Sequence, residues 1–158
     1  MSLHRPGFVW RLLRLMNRRM ATRILAKGGG PNRLVLLLTT TGRKSGLPRV
    51  TPLQFEEIDG AYYVGAARGV HADWFRNVVA HPQVEVQIQQ KHFGANAEPI
   101  TDSARIADFL ELRLRRHPVM IRAMLLMQGL FQPTRANIER LASTLALVVI
   151  RPEKGEKR

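Results

Sequence analysis

The sequence contains no cysteine and has few acidic or aromatic residues. Without cysteine the chain cannot form a disulfide, a thiolate nucleophile or a cysteine zinc site. Its 158 residues include 25 lysines and arginines but only 12 aspartates and glutamates, a formal net charge of +13. Such a charge attracts anions, which include nucleic acid, anionic lipid and acidic small molecules. Nucleic acid is the least favoured of these, because no nucleic-acid motif is present and aromatics make up only 6%.

Motifs for hydrolytic and metal catalysis are also missing from the sequence. No histidine stands in an H-E-x-x-H spacing, and no serine stands in a G-x-S-x-G elbow. We therefore predict no metal site and find no support for a hydrolase. His71 is the one histidine beside a candidate site. It is a candidate catalytic acid, but a loop histidine is more often merely exposed.

No secretory signal is visible, because arginines interrupt the apolar residues of the first nineteen positions. The longest apolar stretches are too short or too charged to span a bilayer. We therefore expect a cytoplasmic protein. An alternative is peripheral membrane contact through the predicted N-terminal helix, Phe8–Leu25, whose arginines interrupt an apolar face.

Hydrophobic periodicity predicts a β-rich region followed by helices and a last strand. The predicted strands are Leu34–Thr40, Val50–Ile58, Tyr62–Ala66, Val84–Ile88, Phe93–Pro99 and Leu145–Ile150. The predicted helices after the first are Trp74–Ala80, Ala104–Arg116, Val119–Phe131 and Arg135–Ser143. Asp73 is expected to cap the first of these, and Asp59-Gly60 to form a hairpin turn. The last strand lacks polar alternation, which predicts burial on both faces.

This order of elements favours an α+β fold with a mainly antiparallel sheet that closes on itself as a barrel. We expect one domain over residues 1–158. It would consist of an N-terminal helix and linker (1–32), a barrel with helices inserted before its last strand (33–151), and a charged tail (152–158).

The segment with the clearest chemistry is the basic turn, which we define as Gly42–Arg49. Two glycines, Gly42 and Gly46, bracket Arg43, Lys44 and Ser45, and glycine lets a ligand approach the backbone amides. Arginine and lysine suit phosphate or carboxylate groups. The P-loop spacing is absent. Taken alone, the turn predicts an anion site, and an ordinary solvated basic turn explains it equally well.

A second segment, Ala66–Asn77, is here named the ring segment. Its small residues Ala66 and Ala67 would let a flat ring approach closely, and Arg68 could reach an acidic group. Trp74 could pack on the ring or belong to the core, and Asn77 could donate hydrogen bonds. Phe75 is expected in the core.

Together these segments resemble the signature of the deazaflavin-dependent nitroreductases. The resemblance covers Leu34–Glu98 and Leu145–Pro152. The matching stretches are Leu37–Gly46 (LLTTTGRKSG), Pro48–Leu53 (PRVTPL), Ala66–Gly69, Asp73–Asn77 and His81–Gln87. The first matching segment, Leu37–Leu53, is specific for this family, and two segments in the same order are much more so.

The resemblance implies a split β-barrel, related to FMN-binding barrels, and the cofactor coenzyme F420, a deazaflavin with a phosphodiester and a glutamate tail. FMN is the alternative cofactor. Hydride would pass to a hydrophobic quinone, nitroaromatic or enone, and the protein would be a homodimer. An alternative is a non-catalytic binder of a lipid-like ligand. The cofactor-binding residues it implies are Arg43, Lys44, Ser45, Gly46, Arg49, Thr51, Pro52, Ala66, Ala67, Arg68, Trp74 and Asn77.

The sequence departs from this family in the segment before the last strand. Relatives often carry tyrosines there, where substrate binds, whereas Val119–Phe131 has none. Met120, Met124, Met127 and Phe131 would then form an apolar, adaptable acceptor pocket. The alternative is that these residues belong to the core or to a dimer interface.

Overall fold

The computed structural model describes residues 35–154. The predicted helix Phe8–Leu25, the linker that follows it and most of the charged tail lie outside the described residues. The organisation of the whole chain as one domain therefore stays a prediction. No helix within residues 35–154 is both long and apolar enough to cross a membrane.

The described chain forms one antiparallel sheet and four helices. The strands are β1 (Val35–Thr41), β2 (Pro48–Gln54), β3 (Glu56–Ile58), β4 (Ala61–Ala66), β5 (Gln83–Ile88), β6 (Lys91–Ile100) and β7 (Ala146–Pro152). The helices are α1 (Asp73–Ala80), α2 (Ser103–Arg116), α3 (Pro118–Met127) and α4 (Arg135–Ala142). The predicted mainly antiparallel α+β class is confirmed, and three helices precede the last strand as expected.

The sheet has the strand order β2-β1-β5-β6-β7-β4-β3. Strands β2 and β4 lie near opposite ends of this order, yet they contact each other. The sheet is therefore curled, with an inner face that encloses a core. The turn at Asp59 and Gly60, with positive φ at both residues, joins β3 to β4 as the sequence predicts.

The prediction of one strand over Val50–Ile58 is wrong. The structure divides this run at Phe55 into β2 and β3, which lie at opposite edges of the sheet. Phe55 is buried in the inner core, where its ring meets the ring of Tyr62 edge-on with centroids 5.5 Å apart. The curl of the sheet brings β2 close to β4, beside β3, so the chain passes from one edge to the other at Phe55. A run of strand-forming residues does not reveal such a crossing, because both strands have the same local pattern.

Strand β7 lies between two hydrophobic clusters. The inner cluster includes Leu36, Leu38, Val64, Val86 and Ile150, and the outer cluster joins β7 to α2 and α4 through Ile106, Phe109, Leu110, Ile138 and Val149. All five residues of Ala146–Ile150 are buried and alternate between the two clusters. The prediction of a last strand buried on both faces is therefore confirmed.

Two helix boundaries differ from the sequence predictions. Asp73 does not cap α1: Ala72 holds the N-cap position, and Asp73 is the first helical residue. Helix α3 ends at Met127 rather than at Phe131. It ends because the N–H of Leu130 donates to the carbonyl of Leu125 and the N–H of Gly129 to that of Leu126. This pair of bonds is a Schellman termination.

Candidate cofactor-binding site

The basic turn is closed by its own backbone. The N–H of Gly42 donates to the carbonyl of Leu47 at 2.7 Å, and the N–H of Gly46 donates to the carbonyl of Gly42 at 2.8 Å. The Ser45 hydroxyl oxygen accepts from the N–H of Leu47 at 3.2 Å. Its own proton remains able to donate to a ligand. The side chains of Lys44 and Ser45 are exposed, so the turn presents them to solvent.

Arg43 connects the basic turn to the start of α1. Its Nη2 donates to Oδ1 of Asp73 at 3.0 Å, and its Nη1 donates to Oδ1 of Asn77 at 3.0 Å. The backbone N–H of Arg43 also donates to Oδ1 of Asn77, at 3.2 Å. These contacts bring together two segments that lie 30 to 34 residues apart in the sequence.

Asn77 is buried, with 4% of its surface exposed. Its Nδ2 donates to the hydroxyl of Thr40, itself buried, at 3.2 Å, while its Oδ1 accepts from Arg43. A buried amide must have such partners, because leaving one unpaired costs about 1–3 kcal/mol. In this structure Asn77 therefore fixes the end of β1 and the basic turn against α1.

The electrostatic environment of Asp73 shows which cations surround it. The hydrogen bond from Arg43, together with the charges of Arg43, Arg76 and Arg68, holds the pKa of Asp73 below its usual value. Arg68 and Arg76 therefore lie close enough to act on the same carboxylate as the basic turn. Arg76 was not among the predicted site residues. The sequence could have indicated its role, because Arg76 lies three residues after Asp73 on a helix and residues at this spacing share a face.

Replacing Arg43 by glutamine is expected to raise the pKa of Asp73 toward 3.8, the value of an unperturbed aspartate. Because the folded-state pKa lies below the unfolded one, Asp73 contributes stability above the unfolded pKa and loses it as pH falls through the folded pKa. An NMR titration of the Asp73 carboxyl carbon measures both values. Arg115→Gln is the control and should leave the titration unchanged. An unchanged Asp73 pKa in Arg43→Gln would contradict the assigned contact.

The strand register decides which predicted residues of β2 share a face. Arg49 lies opposite Thr40 and Thr51 lies opposite Leu38, and both of these β1 residues are buried toward the inner core. Directly opposed residues point to the same face of a sheet. Arg49 and Thr51 therefore lie on the inner face of the edge strand. Pro52 is opposite Leu37 and lies on the other face.

The ring segment divides into a buried part and an exposed part. Ala66 belongs to the inner core and Phe75 is buried there as predicted, while Trp74 is half-buried against the same cluster. Ala67 and Arg68 are exposed. His71 ends a short 3₁₀ turn and is also exposed. A ligand over this segment would thus meet Ala67 and Arg68 rather than Ala66.

Three of the predicted cations make no direct ion pair within residues 35–154, and Arg68 acts on Asp73 only through its charge. The side chains of Lys44, Arg49 and Arg68 are exposed and form no ion pair in this part of the chain. Such cations are able to bind phosphate and carboxylate oxygens. The donor set thus fits a ligand with several negative groups. No cluster of histidines and carboxylates among these residues could hold a metal ion.

An open cleft of about 520 Å³ lies between the loop that follows α3 and helix α4. Its lining includes Gln128, Phe131, Gln132, Arg140 and Thr144. Of the residues predicted to form an acceptor pocket, Phe131 lines this cleft. Met120, Met124 and Met127 do not, and 89% of the surface of Met127 is exposed.

The cleft adjoins the ring segment at Gly69. Gly69 has a φ of +59°, and a Cβ atom there would lie 2.5 Å from the carbonyl oxygen of Thr144, which belongs to the cleft lining. The turn after Arg68 therefore packs directly on the chain that enters β7. The structure places the cleft beside the segment that the sequence predicts to bind a ring.

Comparison with known proteins agrees with this arrangement. The sequence pattern of the family described as F420H(2)-dependent quinone reductase matches residues 11–123. A protein of Mycobacterium tuberculosis named an F420H(2)-dependent quinone reductase is 38% identical over 68 residues, which are 41% of this chain and 46% of that protein. The chain thus spans about half the length of the curated relatives it matches.

Two solved structures resemble the fold. One, described as an F420-H2 dependent reductase, is 27% identical, with 74% of this chain and 94% of the other covered and a TM-score of 0.50. Another, described as a domain-swapped dimer, is 26% identical, with 90% of this chain and 98% of the other covered and a TM-score of 0.52. The predicted split β-barrel is confirmed. With a matching pattern over most of its length, the chain belongs to the F420H(2)-dependent quinone reductase family.

Proposed function

We propose that this protein binds coenzyme F420 at the basic turn and the ring segment and reduces a quinone. The observation that carries the proposal is the 3.0 Å contact between Arg43 and Asp73, which brings these two segments together. Family membership and the M. tuberculosis relative support the same activity. The first part of that family pattern, residues 11–34, lies outside the described residues.

In this proposal the described cations divide into two groups. Lys44, Arg49 and Arg68, which form no direct ion pair in the described chain, bind the phosphodiester and the glutamate tail. Arg43 and Asn77 position the basic turn, because their polar atoms are already bonded to Asp73 and Thr40. Arg76 adds positive charge to the same region.

Ala67, which is exposed, and Trp74, which is half-buried, would contact the ring. When bound, reduced F420 supplies the hydride, so the protein needs no nucleophile or acid–base pair of its own. The chain binds the cofactor, orients it and excludes water. This division agrees with the lack of hydrolytic motifs and with the exposed position of His71.

F420 fits the site better than FMN on grounds of charge. FMN carries one phosphate group, whereas F420 carries a phosphodiester and carboxylates. Three unpaired cations spread over β2, the basic turn and the ring segment match the longer anion. A Kd for F420 well below that for FMN is the expected result of parallel titrations.

We also propose that the protein forms a homodimer. The support is the solved structure described as a domain-swapped dimer, which covers 90% of this chain. Light scattering coupled to gel filtration should give about twice the mass of the 17.9 kDa chain. A single species at 17.9 kDa across a range of concentrations would contradict it.

The activity is tested by mixing the protein with reduced F420 and 2-methyl-1,4-naphthoquinone. The return of the oxidised deazaflavin absorbance should depend on both the protein and the quinone. A nitroaromatic and an enone, tested separately, show whether the acceptor range is wider. Tight F420 binding without oxidation by any of the three would contradict the reductase, although the cofactor site would stand.

A further inference from the structure

We infer that the cleft between the α3–α4 loop and α4 is the acceptor site, and that Arg140 selects acceptors whose ring carries a negative charge. This inference rests on the proposed function, since it names the class of quinone that the reductase would take. Hydride transfer requires donor and acceptor atoms about 3–3.5 Å apart. An acceptor site must therefore adjoin the segment that binds the ring, and the cleft adjoins the ring segment where Gly69 packs on Thr144.

The charge of the cleft is set by one residue. Among the described residues that line it, Arg140 alone is charged. Its guanidinium has no ion pair or hydrogen bond within residues 35–154, and the side chain is exposed. An arginine with free donors next to a cleft can bind a carboxylate or enolate oxygen.

The nearby acidic side chains do not neutralise Arg140, because they bind Arg135. The Nε of Arg135 lies 2.6 Å from Oε1 of Glu139, and its Nη1 lies 2.7 Å from Oδ1 of Asp108 and 3.2 Å from Oε2 of Glu111. This network joins α4 to α2. Because Glu139, the residue before Arg140, is paired with Arg135, it does not neutralise Arg140, and the cleft keeps a positive charge.

The other polar and aromatic side chains of the cleft form two groups: those that bond to neighbouring backbone and those that are free to contact a ligand. The Nδ2 of Asn137 donates to the carbonyl of Gln132 at 3.0 Å, and the hydroxyl of Thr144 donates to the carbonyl of Leu141 at 2.7 Å. These two bonds hold the walls. Gln128 and Phe131 make no such bonds in the described chain and are exposed, so an amide donor and an aromatic face remain for a quinone carbonyl and ring.

A volume of about 520 Å³ is within the range of small-molecule sites. It is large enough for a two-ring quinone. The inferred ligand is therefore a naphthoquinone-sized ring that carries an ionised oxygen group and binds with that group toward Arg140.

The test measures binding to the full chain without cofactor, using two quinones of nearly equal size. The anionic probe is 2-hydroxy-1,4-naphthoquinone, which is ionised at neutral pH, and the neutral probe is 2-methoxy-1,4-naphthoquinone. Wild-type protein should bind the anionic probe about tenfold more tightly. Amide NMR shifts should be concentrated at Gly129, Leu130 and Thr144.

Arg140→Gln should weaken binding of the anionic probe about tenfold, or about 1.4 kcal/mol, since it removes a charge-assisted hydrogen bond. Binding of the neutral probe should not change. Arg122→Gln, which removes an exposed arginine of α3 outside the cleft lining, is the matched control and should leave both probes unaffected. Amide spectra establish that each variant is folded.

Equal affinity for the two probes, equal weakening of both by Arg140→Gln, or shifts away from the cleft would overturn the inference. Oxidation of reduced F420 by 2-methyl-1,4-naphthoquinone separates this result from failure of the proposed function. If that reaction proceeds while Arg140→Gln has no selective effect, the reductase stands and the inference fails. If charge-selective binding is found without the reaction, the inference about the cleft stands and the reductase fails.

Discussion

Gly69→Ala is expected to lower the free energy of unfolding by about 2–6 kcal/mol. The φ of +59° at this position disfavours any residue with a Cβ, at a cost of about 1–3 kcal/mol. The added Cβ would also lie 2.5 Å from the carbonyl oxygen of Thr144. Because this oxygen belongs to the backbone, the contact is relieved only by movement of the chain, which costs about 1–3 kcal/mol more. Urea unfolding followed by far-UV circular dichroism measures the change.

Gly65→Ala provides the matched control for Gly69→Ala. Gly65 lies in β4, is exposed and has no atom within 4 Å of the position of an added Cβ. Its replacement should change the unfolding free energy by about 0.5 kcal/mol or less. A Gly69→Ala protein as stable as this control would show that the close approach of the ring segment to Thr144 is wrong. The same result would contradict the placement of the cleft beside the ring segment, which rests on this contact.

Glu56→Gln is expected to cost about 3 kcal/mol of stability. Glu56 begins β3 with its side chain 6% exposed, and its carboxylate meets three basic groups. Its Oε1 lies 3.4 Å from Nε of Arg113 and 2.8 Å from Nε2 of His117, and its Oε2 lies 3.3 Å from Nη1 of Arg116. Glutamine removes the charge and turns an amide donor toward a guanidinium. Arg113, 11% exposed, is then left without its counter-charge, and such a loss costs about 3–5 kcal/mol.

We expect the lower end of this range, because the Arg116 side chain is 41% exposed and can recover its hydration. Glu57→Gln changes the next residue in the same way, but at an exposed position, and should have little effect. Urea unfolding of the two variants side by side makes the comparison. Equal stability of the two proteins would mean that the Glu56 cluster does not hold β3 to the end of α2.

The sequence predicted what depends on local pattern. Most strands of the sheet, the basic turn and the doubly buried last strand follow from residues close together in the chain. The cap of α2 is equally local, although it was not predicted. There the carboxylate of Asp102 accepts from the backbone N–H groups of Ala104 and Arg105.

Features that depend on distant partners were missed. Asp73 was predicted to cap α1, but its carboxylate binds Arg43, 30 residues earlier. Glu56 and Arg113 are 57 residues apart, and neither residue suggests the other. The division of Val50–Ile58 between two edges depends on the curl of the whole sheet.

The proposed acceptor site was also largely missed, because its place beside the ring segment depends on residues that are distant in sequence. A Met-rich stretch suggested an apolar pocket at Met120, Met124, Met127 and Phe131, and that pocket remains untested as a substrate site. The structure shows a cleft that begins where α3 ends, and its lining includes Phe131 and Arg140. Its shape follows from the termination of α3 and the placement of α4. Neither could be obtained from composition.

The most direct test of the central claim is titration of the protein with F420, comparing wild type with the double variant Lys44→Gln/Arg49→Gln. Both side chains are exposed and neither has an acidic partner in the described chain, so the fold should be retained. Each lost charge-assisted contact contributes about 1.5–3 kcal/mol. We predict a Kd at least about 100-fold higher for the double variant, and an unchanged Kd for Arg115→Gln. Equal F420 affinity of the double variant and the wild type would contradict the assignment of the basic turn as the cofactor site.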